Sequence, residues 1–227
     1  WEHCEILLRL EENGKLLSPG AFIPAAERYG LMPSLDRWVI RNALDLIGRN
    51  AGAAPGTYSI NLSGLTLKDD TFLPFFREAL QRSRVPASVL CFEITETSAI
   101  ENLDEAIAFM NAMRAMGCRF ALDDFGVGMS SLTYLKRLPV DYVKIDGSFV
   151  RDMLSDKTDW MTVEMINQIS HLAGRRTIAE FVESPEILAA LRTIGVDYVQ
   201  GYAIARPAPF EPGPSASAIE PRRASVG

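Results

Sequence analysis

Arg119 to Leu132 reads RFALDDFGVGMSSL. An apolar, strand-like run, Phe120-Ala121-Leu122, delivers two adjacent carboxylates, Asp123 and Asp124, and breaks at once into the glycine-containing turn Phe125-Gly126-Val127-Gly128. Two acids side by side repel each other, and one pKa is pushed upward unless a cation neutralises the pair. An isolated Asp-Asp is more often a solvated surface turn. Here the pattern recurs, which favours a shared site. Short apolar or β-branched runs end in a residue able to bind metal or phosphate: Tyr58-Ser59-Ile60 then Asn61, Val89-Leu90-Cys91-Phe92 then Glu93, Tyr142-Val143 then Lys144, Thr177-Ile178-Ala179 then Glu180, and Tyr198-Val199 then Gln200.

Helical patterns separate these runs. Strand 58–62 leads to helix 71–83, strand 89–95 to helix 103–116 and strand 119–123 to helix 130–137. Strand 141–145 then leads to helix 158–173 and strand 176–180 to helix 185–194, and strand 197–204 closes the series. Short βα connections of this kind predict parallel strands and, at this count, an α/β barrel. One such barrel uses about 200 to 250 residues, and the chain has 227, of which 48% are hydrophobic. Functional groups of a barrel gather where strands end and βα loops begin, which is where the polar residues above fall. Ile107, Met110 and Met113 read as core filling, since methionine suits irregular helix-to-sheet gaps. Leu35, Trp38, Val39, Asn42 and Leu46 in helix 34–49, and Val163, Ile166, Ile169 and Leu172 in helix 158–173, read as inward faces.

Ahead of this series, residues 5–10 read as a short strand, 11–20 (EENGKLLSPG) as a turn, 21–29 as a helix and 48–56 as a small-residue loop. Glu5 begins its expected strand. It would therefore lie at the opposite mouth of an all-parallel barrel, and reaches the working mouth only if the first strand runs antiparallel.

Composition narrows the function. A net charge of −6 argues against a basic nucleic-acid surface, and an anionic substrate would need metal ions to reverse the local field. Cys4, Cys91 and Cys118 are scattered and odd in number, as expected of a reducing, cytoplasmic setting. No apolar run approaches the roughly 20 residues needed to span a bilayer and no signal-peptide pattern opens the chain; the cytoplasmic part of a membrane-anchored protein is the secondary reading. Trp1 in place of a start methionine reads as a domain excised from a longer chain. Residues 1–210 are expected to form the barrel, and the Pro-, Ser- and Ala-rich residues 211–227 a disordered tail. Gly126-Val127-Gly128 lacks the third glycine of a dinucleotide loop, and neither His3 nor His171 has a Ser or Cys at a spacing suited to nucleophilic catalysis.

Seven ordered segments carry a resemblance: Glu5-Ile6-Leu7-Leu8-Arg9, Asn61-Leu62-Ser63, Glu93-Ile94-Thr95-Glu96, Asp123-Asp124-Phe125-Gly126, Lys144-Ile145-Asp146, Ala179-Glu180-Phe181-Val182-Glu183 and Gln200-Gly201-Tyr202. In order and spacing they resemble the EAL family of cyclic di-GMP phosphodiesterases, over about residues 2–210. The resemblance implies a modified TIM-type barrel with an antiparallel first strand. It implies hydrolysis of one phosphodiester bond of cyclic di-GMP to linear pGpG with two divalent cations, Mg²⁺ or Mn²⁺. By the same resemblance Glu5, Asn61, Glu93 and Asp123 hold one metal, and Asp123 bridges to a second near Asp124, with Asp146 and Glu180 close by. Lys144 steadies the water or the developing phosphate charge, Glu180 is general base or second-metal ligand, and Gln200 hydrogen-bonds near the substrate or the water. Arg9 offers a guanidinium fork to a phosphate oxygen, and Asp146 and Glu183 flank the substrate.

Lys144 and Asp146 are two apart, so on a strand both point to one face. Glu96 and Glu183 follow Glu93 and Glu180 by three, an offset that changes strand parity and predicts loops beside the site. The resemblance gives Glu96 the task of anchoring the loop 125–131 and coupling dimer contacts to metal binding. A donor set of oxygens suits hard cations, and two of them could activate a water and stabilise the attacking and leaving oxygens. Ca²⁺ should occupy the same oxygens yet support little turnover. A homodimer and upstream sensory or GGDEF diguanylate cyclase domains are further implied partners; direct nucleic-acid binding is not. Three departures stand out: Ile6 within the signature triplet, Phe181 where glycine is usual and Val127 where a small polar residue is usual. None removes a ligand. The alternatives are a receptor that binds cyclic di-GMP without cleaving it, which lost ligands would mark, and an unrelated lyase or aldolase, for which no carbonyl-binding constellation is found.

Overall fold

The computed structural model describes residues 3–49, 56–127 and 132–210. The expected tail 211–227, most of the loop 48–56 and the loop positions 128–131 lie outside the described residues. In chain order the elements are β1 (His3–Ile6), a hairpin of β2 (Leu10–Glu12) and β3 (Lys15–Leu17), α1 (Ile23–Arg28), α2 (Met32–Arg49), β4 (Thr57–Asn61), α3 (Gly64–Leu67), α4 (Phe72–Ser83), β5 (Leu90–Thr95), α5 (Glu96–Glu101) and α6 (Leu103–Ala115). They continue with β6 (Arg119–Phe125), α7 (Leu132–Arg137), β7 (Tyr142–Ile145), α8 (Gly147–Asp152), α9 (Lys157–Leu172), β8 (Arg176–Ala179), α10 (Pro185–Ile194) and β9 (Tyr198–Val199).

Seven strands form one sheet in the order β1-β4-β5-β6-β7-β8-β9, and every neighbouring pair is parallel. The sheet curls far enough for side chains of its two edges to meet, Gln200 just beyond β9 and Glu5 on β1, making a half-barrel. The expected antiparallel first strand is not found: β1 pairs with β4 in parallel, His3 opposite Thr57 and Glu5 opposite Ser59. The cause is where the strand starts. It begins at His3 and ends at Ile6, so Glu5 lies next to its C-terminal end, and a parallel strand carries it to the working mouth. The apolar Leu7-Leu8 made the strand look later than it is; Leu10 instead opens the hairpin, turned by Asn13 and Gly14, both at positive φ, as a two-residue turn requires. The turn reading of 11–20 missed those two strands.

Period-two alternation sorts the sheet's side chains. Ile60, Phe92, Ile94, Phe120, Leu122, Val143 and Ile145 face outward and join Phe72, Phe76, Met110, Met113, Val163 and Leu191 from the helices in the main core. Met110 and Met113 are fully buried, as the core-filling reading expects. Inside the curl, Cys91, Ala121, Tyr142 and Ile178 make a smaller apolar cluster, with Tyr198 against it. On α2 the buried positions are Met32, Asp36, Ile40, Ala43, Leu44 and Ile47, whereas Trp38 is 53% exposed; the aromatic residue misled the choice of face. Leu172, the last residue of α9, also points outward, while Val163 and Ile166 are buried as expected.

Three short helices were not legible in the sequence, being too brief to show a period. α3, α5 and α8 each follow a strand of the sheet within a few residues. Ser63, Thr95 and Asp146 cap them by accepting the amides of Thr66, Ser98 and Ser148, which turns the chain outward just after it has delivered its polar residue. β9 is shorter than the expected strand 197–204, and the chain beyond it is pinned to Val182: Val182 N donates to Gln200 O at 3.0 Å and Ala203 N to Val182 O at 2.9 Å. A Cβ at Gly201 would lie 2.3 Å from Val182 N.

Candidate active site

Lys144 points into the curl from β7, its side chain 1% exposed. Its Nζ lies 2.6 Å from Glu93 Oε2, 2.8 Å from Glu180 Oε1, 3.0 Å from Asp123 Oδ1 and 3.9 Å from Glu5 Oε2. Around Glu5 the two amides complete the rim: Asn61 Nδ2 donates to Oε1 at 2.8 Å and Gln200 Nε2 to Oε2 at 2.6 Å. The structure thus brings Glu5, Asn61, Glu93, Asp123, Lys144, Glu180 and Gln200 to one mouth, each from the C-terminal end of its own strand or the residue just beyond it.

One ammonium serves four carboxylates, and the site is short of positive charge. Burial pulls the Lys144 pKa down, but Glu93, Asp123, Glu180 and Glu5 outweigh it and hold the amine well above its ordinary range. Burial dominates on Glu93 and Glu180. It pushes Glu93 up to about 7 against the attraction of Lys144, and Glu180 to about 7 in the same way, with other carboxylates adding to both. Such a pocket gains from a further cation.

The paired aspartates reach the site through a β-bulge. Leu122 stands opposite Val143 and Phe125 opposite Ile145, so β6 spends one more residue than β7 over the same span. Asp124 absorbs the extra step with φ 53°. Asp123 stays inward and Phe125 returns to the outer core, 4% exposed. Asp124 N donates to Asp123 Oδ1 at 3.1 Å. The pKa of Asp124 is raised by burial and then by the charges of Asp123 and Asp146. Carboxylate oxygens of Asp123, Asp124 and Glu180 all lie within 4.8 Å of one another. Oxygens sharing one hard cation at about 2.0 to 2.6 Å lie at most about 4 to 5 Å apart, so this trio fits a metal of the magnesium or calcium kind.

Two sequence expectations, for Asp146 and Glu96, are corrected. Asp146 is not on a strand with Lys144: β7 ends at Ile145, and Asp146 caps α8, accepting from Ser148 N at 2.8 Å and from the Ser148 hydroxyl. Glu96 is not on a loop but opens α5, 4% exposed, and accepts from Gly126 N at 3.3 Å; strand parity fails there because the strand has already become a helix. Arg9 lies past β1, exposed, with Nη1 donating to Leu8 O at 2.7 Å. Glu183 is exposed on the stretch after Val182.

Phe181 adopts φ 53°, a backbone that glycine takes freely. Its ring lies so close over Gly147 that a Cβ there would come within 2.1 Å of it, and Arg151 Cζ stands 5.3 Å from the ring centroid. One supporting residue was missed from sequence. Asp36, 4% exposed on α2, accepts from Ser63 N at 3.0 Å, Ser63 Oγ at 2.7 Å and Thr66 Oγ1 at 2.6 Å, fastening the segment after Asn61. Its pKa is raised by burial. In sequence it looks like any acid on a helix; only the hydroxyls of Ser63 and Thr66 hint at its partner.

A sequence profile of the EAL domain matches residues 1–207. The chain belongs to the EAL domain family. This EAL domain is 44% identical over 211 residues to the cyclic di-GMP phosphodiesterase PdeB of Shewanella oneidensis, covering 92% of the chain and 25% of PdeB. It is 37% identical over 224 residues to the cyclic di-GMP phosphodiesterase PdeF of Escherichia coli, covering 98% of the chain and 30% of PdeF. The chain thus spans between a quarter and a third of these relatives. Among solved structures, the EAL domain superposes on the PaMucR phosphodiesterase in its c-di-GMP complex with a TM-score of 0.86 at 34% identity, over 90% of this chain and 84% of that one. It superposes on the FimX EAL domain of Pseudomonas aeruginosa bound to c-di-GMP with a TM-score of 0.85 at 32% identity, over 92% and 85%. No helix among the described residues is long and apolar enough to cross a membrane.

Proposed function

We propose that this EAL domain hydrolyses one phosphodiester bond of cyclic di-GMP to linear pGpG, lowering the level of that dinucleotide. The observation that carries the reading is the lysine-centred ring of Glu5, Glu93, Asp123 and Glu180, four carboxylates on one ammonium at a single mouth. The likeness to relatives named for this activity, and to structures holding c-di-GMP, supports the substrate. Glu5, Asn61, Glu93 and Asp123 would hold one divalent cation, and Asp123 with Asp124 a second beside Glu180, Mg²⁺ or Mn²⁺ being the ions suited to these oxygens. When bound, such ions supply Lewis-acid activation of water and neutralise charge on the phosphate.

The chain's own groups do the rest. Glu180, 2.8 Å from Lys144 and beside the Asp123-Asp124 pair, is placed to take a proton from the attacking water. Lys144 offers positive charge to the phosphate, and Gln200 orients the water or an equatorial oxygen. Glu96 holds the backbone at Gly126, which keeps the Asp123-Asp124 bulge in shape. Arg9, Asp146 and Glu183 lie outside the central ring and bind the dinucleotide around it. In the full-length protein, upstream sensory or GGDEF segments and a second copy of this domain are the partners in this reading, in a cytoplasmic setting.

Incubation of the chain with cyclic di-GMP and Mg²⁺ or Mn²⁺ tests the proposal, with linear pGpG as the expected product and little of it in Ca²⁺. Tight binding without turnover would make the domain a receptor, and absence of binding would remove the substrate. Glu5→Ala and Asp123→Ala should abolish detectable product while the circular dichroism spectrum stays folded; full activity in either would refute the ligand assignment.

A further inference from the structure

The opposite mouth of the half-barrel is basic. There the N-terminal ends of β6, β7, β8 and β9 present Arg119, Tyr142, Arg176 and Tyr198, and Arg175 joins them just before β8, around an open cavity of about 470 Å³. The lining carries three guanidinium groups against one carboxylate, Asp141. That carboxylate is already engaged, by Arg114 at 2.6 Å and by Phe120 N at 3.0 Å. Asp197, near Arg176, is likewise held by His171 at 2.7 Å and Thr177 N at 2.8 Å.

Neutral groups are among the partners of these guanidiniums. Arg176 Nη1 donates to the Tyr198 hydroxyl at 2.8 Å and Arg119 Nη1 to the Tyr142 hydroxyl at 3.3 Å. Arg175 Nη2 donates to Leu138 O at 3.1 Å, while its Nε is buried with no acceptor among the described residues. Each guanidinium has five N–H donors, so the bonds of Arg175 and Arg176 leave donors to spare. The two tyrosine rings stand edge to face, 6.0 Å between centroids, and form an aromatic wall beside the charges. Three forks and a ring wall in a cavity of small-molecule size, in a chain of net charge −6, select an anion with a flat group attached.

We infer that this N-terminal mouth is a second ligand site, taking a phosphate-bearing ligand of mononucleotide size, with the phosphate between Arg175 and Arg176 and its ring against Tyr142 and Tyr198. The site uses none of the residues of the acidic mouth, so it stands or falls apart from the proposed hydrolysis. GMP titrated calorimetrically into the whole chain in EDTA is the test. Saturable one-to-one binding is expected, weakening by roughly tenfold or more in Arg176→Glu. Arg176 is exposed, so that variant should melt as the parent does; Arg175→Gln is the second variant should it not. Inorganic phosphate should bind more weakly than GMP, and cyclic di-GMP with Ca²⁺ should leave GMP affinity unchanged. Absence of saturable binding, equal affinity in folded Arg176→Glu, equal affinity for bare phosphate, or displacement of GMP by cyclic di-GMP would each overturn the assignment.

Discussion

Lys144 carries a single positive charge into a ring of four carboxylates, and without metal it is the cation that partners Glu93, which is 2% exposed. Removing one partner of a buried pair costs about 3 to 5 kcal/mol, because the other charge is left uncompensated. Lys144→Ala should therefore lower the melting temperature sharply in EDTA, and Mn²⁺ should recover part of the loss; calorimetry with and without the ion measures both. Asp124 presents the reverse case. Its carboxylate is crowded by Asp123 and Asp146, and asparagine also tolerates φ 53°, so Asp124→Asn should leave metal-free stability unchanged or raise it slightly while cutting hydrolysis. A clear loss of stability in EDTA would show that the charge is compensated after all. At this scale the sequence was most readable where a β-branched run stops at a polar residue, as at Asn61, Glu93, Lys144 and Glu180. It was opaque at Glu96 and Asp36, whose partners Gly126, Ser63 and Thr66 are set by helices that leave no period in the chain.

Among the elements, β6 shows how one irregularity does two jobs. An unbroken strand would turn Asp124 outward and Phe125 inward; the bulge keeps both acids at the mouth and returns the ring to the core. Parity arguments from sequence assume unbroken strands, which is why Asp123 could be placed and the adjoining acid could not. The same limit moved Asp146 from strand to helix cap. The βα alternation itself was legible because each long helix repeats its apolar face over several turns, whereas β1, four residues long, offered no period from which to fix its start. Past β9, Gly201 lets the backbone touch Val182. Gly201→Ala would put a Cβ 2.3 Å from Val182 N, so it should destabilise the fold and, by shifting Gln200 from Glu5, reduce turnover more than it weakens substrate binding. Steady-state kinetics beside a thermal melt would separate the two, and unchanged kinetics would exclude the link.

The whole molecule should feel the acidic mouth through pH. Glu93 and Glu180 titrate near 7 in the folded chain against an ordinary value of 4.5. Between those values the folded state holds more protons than the unfolded one, so metal-free stability falls as pH rises through that window. The melting temperature in EDTA should be lower at pH 8 than at pH 5.5, and Mg²⁺ or Mn²⁺ should narrow the gap by favouring the ionised acids. A melting temperature that climbs over the same range in EDTA would contradict the charge balance drawn here. Among the described residues, β1 has a strand partner on one edge alone, β4, and across the seam it is tied to the end of β9 by the Gln200 to Glu5 hydrogen bond. A slide of that strand by a single residue would swing Glu5 out and present Cys4 or Ile6 in its place. The half-barrel has thus entrusted an acidic side chain of its rim to an edge stave, a latch that tension from outside the domain would spring.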